Sequence, residues 1–267
     1  MHSNRISSIA ATIALSACLF VPASPRAIGL YTDYMSYFSP IDTARTSLLF
    51  RQTELQRDEG RAAILSAELL FRNRSRMLFR LQLPFPTVPT DGDFLYDLGD
   101  GAVRAEVRVF GDTLDASGLF LIGDVRLPMG KKEFQPISYG SLDGGGGLEL
   151  RGKTTFFRLR LASTFTLVGD RVKTGPFIHD NFTTVALSIE TEFVGGASLS
   201  FSGFGLLFRG GGKREIYVLS IRQALSRGIE ALVSGALEAG TDEERVFNSQ
   251  VALAIRYTFP SPPTDEK

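Results

Sequence analysis

Fourteen charged side chains share one parity in stretches that alternate apolar and polar residues: Arg80, Arg104, Glu106, Arg108, Asp124, Arg126, Arg158, Arg160, Glu190, Glu192, Arg222, Glu230, Glu238 and Arg256. A period of two puts such residues on one face of an extended chain. The bases among them are all Arg, whose planar fork pairs carboxylates two bonds at a time and suits close packing. The chain has only six Lys (131, 132, 153, 173, 213 and 267), all in expected loops, turns or the tail. A polar surface facing water would use Lys freely, so a face of Arg, Glu, Ser and Thr reads as a crowded interior. Two uses of it stand level on the sequence. One is a polar path or binding lumen, and the other is a salt-bridged plug that keeps the lumen shut.

Other groups that could do chemistry read less sharply. His179 sits in Ile178-His-Asp-Asn181, within a long connection. A hydrolase acting on membrane lipid would need a Ser beside it in a defined motif, and none is present, so His179 reads as a solvated loop residue and no catalytic set is expected. Asp91, Asp93, Asp97 and Asp100 cluster in one connection. Oxygen ligands suit Ca²⁺, but the spacing is not that of an EF-hand, so no metal is assigned. Gly144–Gly147 and Gly210-Gly-Gly-Lys213 lack the helix that a P-loop needs after its glycines, and read as hairpin loops. No cofactor is expected.

The elements that must position the shared face are strands. Val246 to Phe259 alternates Phe247, Ser249, Val251, Leu253, Ile255, Tyr257 and Phe259 with Asn248, Gln250, Ala252, Ala254, Arg256 and Thr258. A strand crossing a bilayer needs about 9–11 residues, apolar toward lipid, with aromatics at the interface. The same reading gives twelve strands: 44–55, 61–72, 75–85, 101–110, 117–128, 144–151, 154–168, 182–193, 197–208, 213–224, 228–239 and 246–259. Even-numbered joins are short (73–74, 111–116, 152–153, 194–196, 226–227), whereas the long ones (86–100, 129–143, 169–181) are all odd-numbered. Short turns at one rim and long loops at the other characterise outer-membrane barrels. The expected fold is therefore an all-β, antiparallel transmembrane β-barrel of about twelve strands. The absence of Trp among 267 residues counts mildly against it, because interfacial belts favour Trp and Tyr.

The flanks read differently. Residues 1–23 have the basic start, apolar run and small-residue end of a cleaved signal peptide. Leu15-Ser-Ala-Cys18 resembles a lipoprotein box, which would make Cys18 a lipidated N-terminus, but the apolar run continues past it and favours loss with the signal. Residues 24–43 form an N-terminal periplasmic segment in which a short helix and a ragged strand both fit, 44–259 the barrel, and 260–267 a disordered tail. Net charge is zero, so nothing favours nucleic acid. The partners expected are outer-membrane lipids, the barrel-assembly machinery during insertion, and an unidentified small solute.

Three stretches carry a family resemblance: Leu98-Gly-Asp-Gly-Ala-Val-Arg-Ala-Glu-Val-Arg-Val-Phe110, Phe120-Leu-Ile-Gly-Asp-Val-Arg-Leu-Pro-Met-Gly130 and Thr164-Phe-Thr-Leu-Val-Gly-Asp170. With the finish Val251 to Phe259, they resemble the bacterial outer-membrane transporter family named for the meta-pathway of phenol degradation. Met129 stands where that family more often has Thr. The resemblance covers roughly 45–259. It implies an outer-membrane barrel for passage of small, often aromatic or apolar, compounds, with no catalytic set. The alternative is a closed structural or assembly barrel without transport.

Overall fold

The structure, a computed structural model, describes residues 37, 46–57, 60–73, 77–89, 94–111, 117–130, 140–169, 172–174, 177–179, 181–209, 213–239 and 247–260. The signal peptide, Cys18, Asp91, Asp93, Gly210–Gly212 and residues 261–267 lie outside these, as does all of 24–43 except Tyr37. The strands are β1 (Ser47–Arg57), β2 (Gly60–Asn73), β3 (Met77–Pro89), β4 (Phe94–Tyr96), β5 (Gly101–Gly111), β6 (Gly118–Leu127), β7 (Asp143–Lys153) and β8 (Phe157–Leu167). They continue as β9 (Val172–Thr174), β10 (Phe177–His179), β11 (Phe182–Phe193), β12 (Ala197–Phe208), β13 (Lys213–Ser226), β14 (Ile229–Ala239) and β15 (Ser249–Thr258). No helix occurs among the described residues.

Each long strand pairs antiparallel with its neighbours in sequence, β15 returns to β1, and β2 pairs with β3, so twelve strands close into a barrel. Closure at β15–β1 runs from Ser47↔Thr258 to Gln56↔Ser249. The twelve expected strands are the twelve that form, most within about three residues of their expected ends. The strand read as 154–168 starts later, at Phe157. The Thr154 hydroxyl accepts from the Phe156 and Phe157 amides and donates to the Phe157 carbonyl, which holds that segment as a turn. Three short strands were not expected. β4 extends β3 at the long-connection rim, and β9 and β10 form a hairpin inside the β8–β11 connection. At three residues each they are too brief to show a period.

Alternation decides which side chains face out. Along β8, Leu161 and Phe165 are 45% and 44% exposed, whereas Arg160, Ala162 and Thr164, of the opposite parity, are at most 4% exposed. The outer surface repeats this pattern with Phe50, Leu65, Phe71, Leu121, Leu148, Val185, Phe201, Leu219 and Ile255. A continuous apolar belt of that extent is untenable in water, where exposed apolar patches seldom exceed a few hundred Å². Hydrocarbon is the solvent it suits.

The glycines 144–147 are not a loop. They open β7, and a Cβ on Gly145 or Gly147 would meet the carbonyl oxygens of Phe165 or Ser163 at 2.5 Å or less. Side chains there would force β7 away from β8.

Placing a charge on the belt tests it. Leu161→Arg should cost about 2–4 kcal/mol in urea unfolding from lipid vesicles, the expense of Arg near a bilayer midplane. A loss below about 0.5 kcal/mol would mean that this face does not meet hydrocarbon.

Candidate functional site

The barrel interior is built in two levels. Toward the long-connection rim, Leu55 (β1), Ile64 (β2), Phe182 (β11), Phe204 and Leu206 (β12), and Ile216 and Val218 (β13) pack as an apolar cluster with Phe247. The inward face is thus less polar than its charge pattern alone implies. β2 and β13 carry apolar residues on both faces, so period two does not mark an inside.

Across the middle of the barrel and toward the short-turn rim the interior is ionic. Arg80 (β3) meets Glu68 (β2) at 3.3 Å. On β5, Arg104 bonds Glu106 at 3.2 Å and approaches Asp124 (β6) at 3.6 Å and Glu149 (β7) at 3.9 Å. Arg151 bridges Glu149, at 2.7 Å, and Glu106, while Arg160 (β8) reaches the same Glu149 at 2.5 Å. Further round, Arg158 pairs with Glu192 at 2.8 Å and stands 3.9 Å from Glu190. Arg222 (β13) takes Glu190 at 2.9 Å, Ser198 at 3.0 Å and Glu192 at 3.4 Å, and Arg256 (β15) takes Glu230 (β14) at 2.7 Å.

All fourteen charged residues singled out from the sequence have inward parity, and most join this belt. Arg126 sits apart, 3.8 Å from Asp143. Glu238 lies among the apolar cluster, accepting from Arg214 and from the Phe247 amide. Arg108 stays half-buried beside the bulge in β5. Missed in the sequence were Arg51, Glu68, Asp143, Glu149, Arg151 and Arg214, all inward and nearly inaccessible. Glu149 and Arg151 alternate with Leu148 and Leu150, a signal that the same parity rule could have found. The belt is shut at its centre, where Glu149, Glu106 and Arg256 are no more than 1% exposed. It opens at the short-turn mouth, where the Glu192 side chain is 47% exposed.

Above the belt, toward the long-connection rim, lies a cavity of about 130 Å³. Tyr37 forms part of its wall from inside the barrel. The Tyr37 hydroxyl bonds Thr164 at 3.1 Å, the Arg104 guanidinium lies 4.4 Å over its ring, and Phe204 meets it edge-on at 5.2 Å. At 7% exposure Tyr37 is an interior residue, held by a cation–π contact on one side and an aromatic edge on the other.

At the long-connection rim, polar side chains fasten the stems of the connections. The Asp100 carboxylate accepts from the Gly130 and Gly140 amides, fastening both stems of the β6–β7 connection. Asp143 accepts from the Gly169 amide and the Ser141 hydroxyl, and Asn181 from the Val168 amide. Asp97 accepts from the next amide, at Leu98. No cluster of acids, His or Cys among the described residues could hold a metal. His179 lies in β10, within the β8–β11 connection.

A closed antiparallel barrel of twelve strands with an apolar outside and a charged inside defines the architecture of bacterial outer-membrane barrels. No family model and no curated protein matches the sequence. Among solved structures, the chain is similar to the COG4313 outer membrane channel from Pseudomonas putida F1, with TM-score 0.66 and 11% identity over 86% of this chain and 100% of that one. It is also similar to the KdgM porin in complex with disordered oligogalacturonate, with TM-score 0.56 and 8% identity over 80% and 99% of the two chains. At such identities the likeness establishes the shared fold.

The belt is testable at two carboxylates. Glu149→Gln leaves Arg104, Arg151 and Arg160 without the anion they share. It should cost about 3–5 kcal/mol in urea unfolding, as for breaking a buried ion pair. Glu192→Gln, at the wet mouth, should cost less than about 1 kcal/mol. Equal costs would mean that water reaches Glu149 as freely as Glu192.

Proposed function

We propose that this protein is an outer-membrane channel for passive passage of small molecules, shut in the state described. The observation that carries this reading is the cavity: a space bounded by Tyr37 and Phe182 on one side and by inward arginines on another, inside a barrel whose outer belt suits lipid. A barrel serving only as a structural body has no need of such a space. The neighbours described as a channel and a porin support the reading. So does the resemblance to the phenol meta-pathway family, which favours compact, often aromatic or apolar, solutes. The chain is then an exported outer-membrane protein with a transport role and no catalytic step.

The closed belt favours a second reading, a structural barrel without transport, since Glu106, Glu149 and Arg256 are no more than 1% exposed. Tyr37 separates the two. Its ring fills the space between Arg104 and Phe204, so Tyr37→Ala should widen the lumen where cavity and belt meet. In planar bilayers the wild type should conduct weakly, and Tyr37→Ala should raise conductance severalfold. Absence of conductance in both would favour the structural barrel. In cell fractionation the protein should travel with outer membranes and migrate differently on gels when boiled. Recovery in the soluble periplasm would defeat the membrane assignment.

A further inference from the structure

We propose that the cavity beside Tyr37 is a binding site for a small, flat monoanion, an aromatic carboxylate being the chemical class that fits it best. The inference deepens the channel reading and rests on it for biological meaning, but the site is defined by its own geometry.

Size comes first. At about 130 Å³ the cavity is close to the roughly 150 Å³ engineered cavity that holds benzene. One monocyclic ring fits. Tyr37 and Phe182 give that ring an aromatic wall.

Charge comes second. Among the described residues, five charged side chains line the space: Arg80, Arg104 and Arg126 against Asp124 and Asp143, an excess of one positive charge. The other carboxylates that balance these arginines, Glu68, Glu106 and Glu149, are not part of its lining and have side chains no more than 3% exposed. The three arginines thus outnumber the two acids that share the lining with them.

Spacing comes third. A direct charge-assisted hydrogen bond between nitrogen and carboxylate oxygen spans about 2.7–2.9 Å. Arg104 stands 3.6 Å from Asp124, its register partner on β6, and Arg126 stands 3.8 Å from Asp143, its register partner on β7, both beyond that span. Asp143 is further engaged by Ser141 at 2.8 Å and Gly169 at 3.2 Å, which diverts its charge toward the loop stems. A guest carboxylate can approach Arg126 and Arg104 more closely than Asp143 and Asp124 do, with the Thr164, Thr166 and Thr184 hydroxyls nearby.

The test is calorimetric titration of the detergent-solubilised full chain with benzoate, benzamide and benzylamine, which share a ring and differ in charge. Benzoate should bind at least about tenfold more tightly than benzamide, since a hydrogen bond to a charged group outweighs one to a neutral group. Benzylamine should not bind. Arg126→Gln should weaken benzoate about tenfold and leave benzamide unchanged. Asp124→Asn removes the one acid of the lining that competes for Arg104 and should tighten benzoate severalfold, a gain that misfolding cannot mimic. Equal binding of benzoate and benzamide, no binding of benzoate, or weaker benzoate binding by Asp124→Asn would each overturn the proposal. The bilayer measurements distinguish its failure from that of the channel reading. Conductance without benzoate binding leaves the channel and removes the site, whereas benzoate binding with no conductance, even in Tyr37→Ala, leaves the site and removes the channel.

Discussion

Everything in this structure follows from one constraint: in hydrocarbon, a backbone N–H or C=O without a partner costs several kcal/mol. A sheet can meet it only by closing. Two pairings accomplish that here, β15 with β1 at the chain's ends and β2 with β3 beside them. Once the barrel is closed, each residue has one of two environments, lipid or interior, and the pleat assigns them alternately. The apolar belt and the charged belt are two sides of the same geometry.

Closing at twelve strands creates the second problem. Such an interior is wider than the eight-stranded barrels that side chains readily fill and narrower than the 16–18-stranded porins that hold a water channel. Here long arginines reach inward, and carboxylates from neighbouring strands meet them. Taking these ions out of water is expensive, and isolated pairs seldom recover that cost. Sharing changes the balance. Glu149 serves three arginines from three strands, and Arg222 serves carboxylates from two others. The apolar cluster beside Phe204 needs no such compensation, and Tyr37 stands where the two levels meet. Its apolar ring and polar hydroxyl suit that boundary.

How far the sequence reveals this depends on how local each feature is. Strands such as β5, β8 and β11 are plain in it, because leucine, valine and phenylalanine alternate with arginine, glutamate and threonine in every turn of the pleat. The interior of β2 and β13 is hidden, since Ile64 and Ile216 face inward although nothing in their type separates them from outward Leu65 or Tyr217. The three-residue strands β4, β9 and β10 have no period to read. Asp100 looked like one of a solvated acidic group, and its hold on Gly130 and Gly140 depends on a connection brought back 30 and 40 residues later.

The alternation by itself determined the fold class, the number of long strands, the faces they present and the sorting of short turns from long loops. Those features need only the two-residue repeat of an extended chain and the solvent each face prefers. Tertiary structure alone decided which charges meet, where the lumen closes and where a cavity remains. Tyr37 and Thr164 bond across 127 positions, and no local pattern in either segment announces the other. Contacts of that kind depend on the register and tilt at which the sheet closes. Those are set by all twelve strands together, and no short stretch of residues contains them.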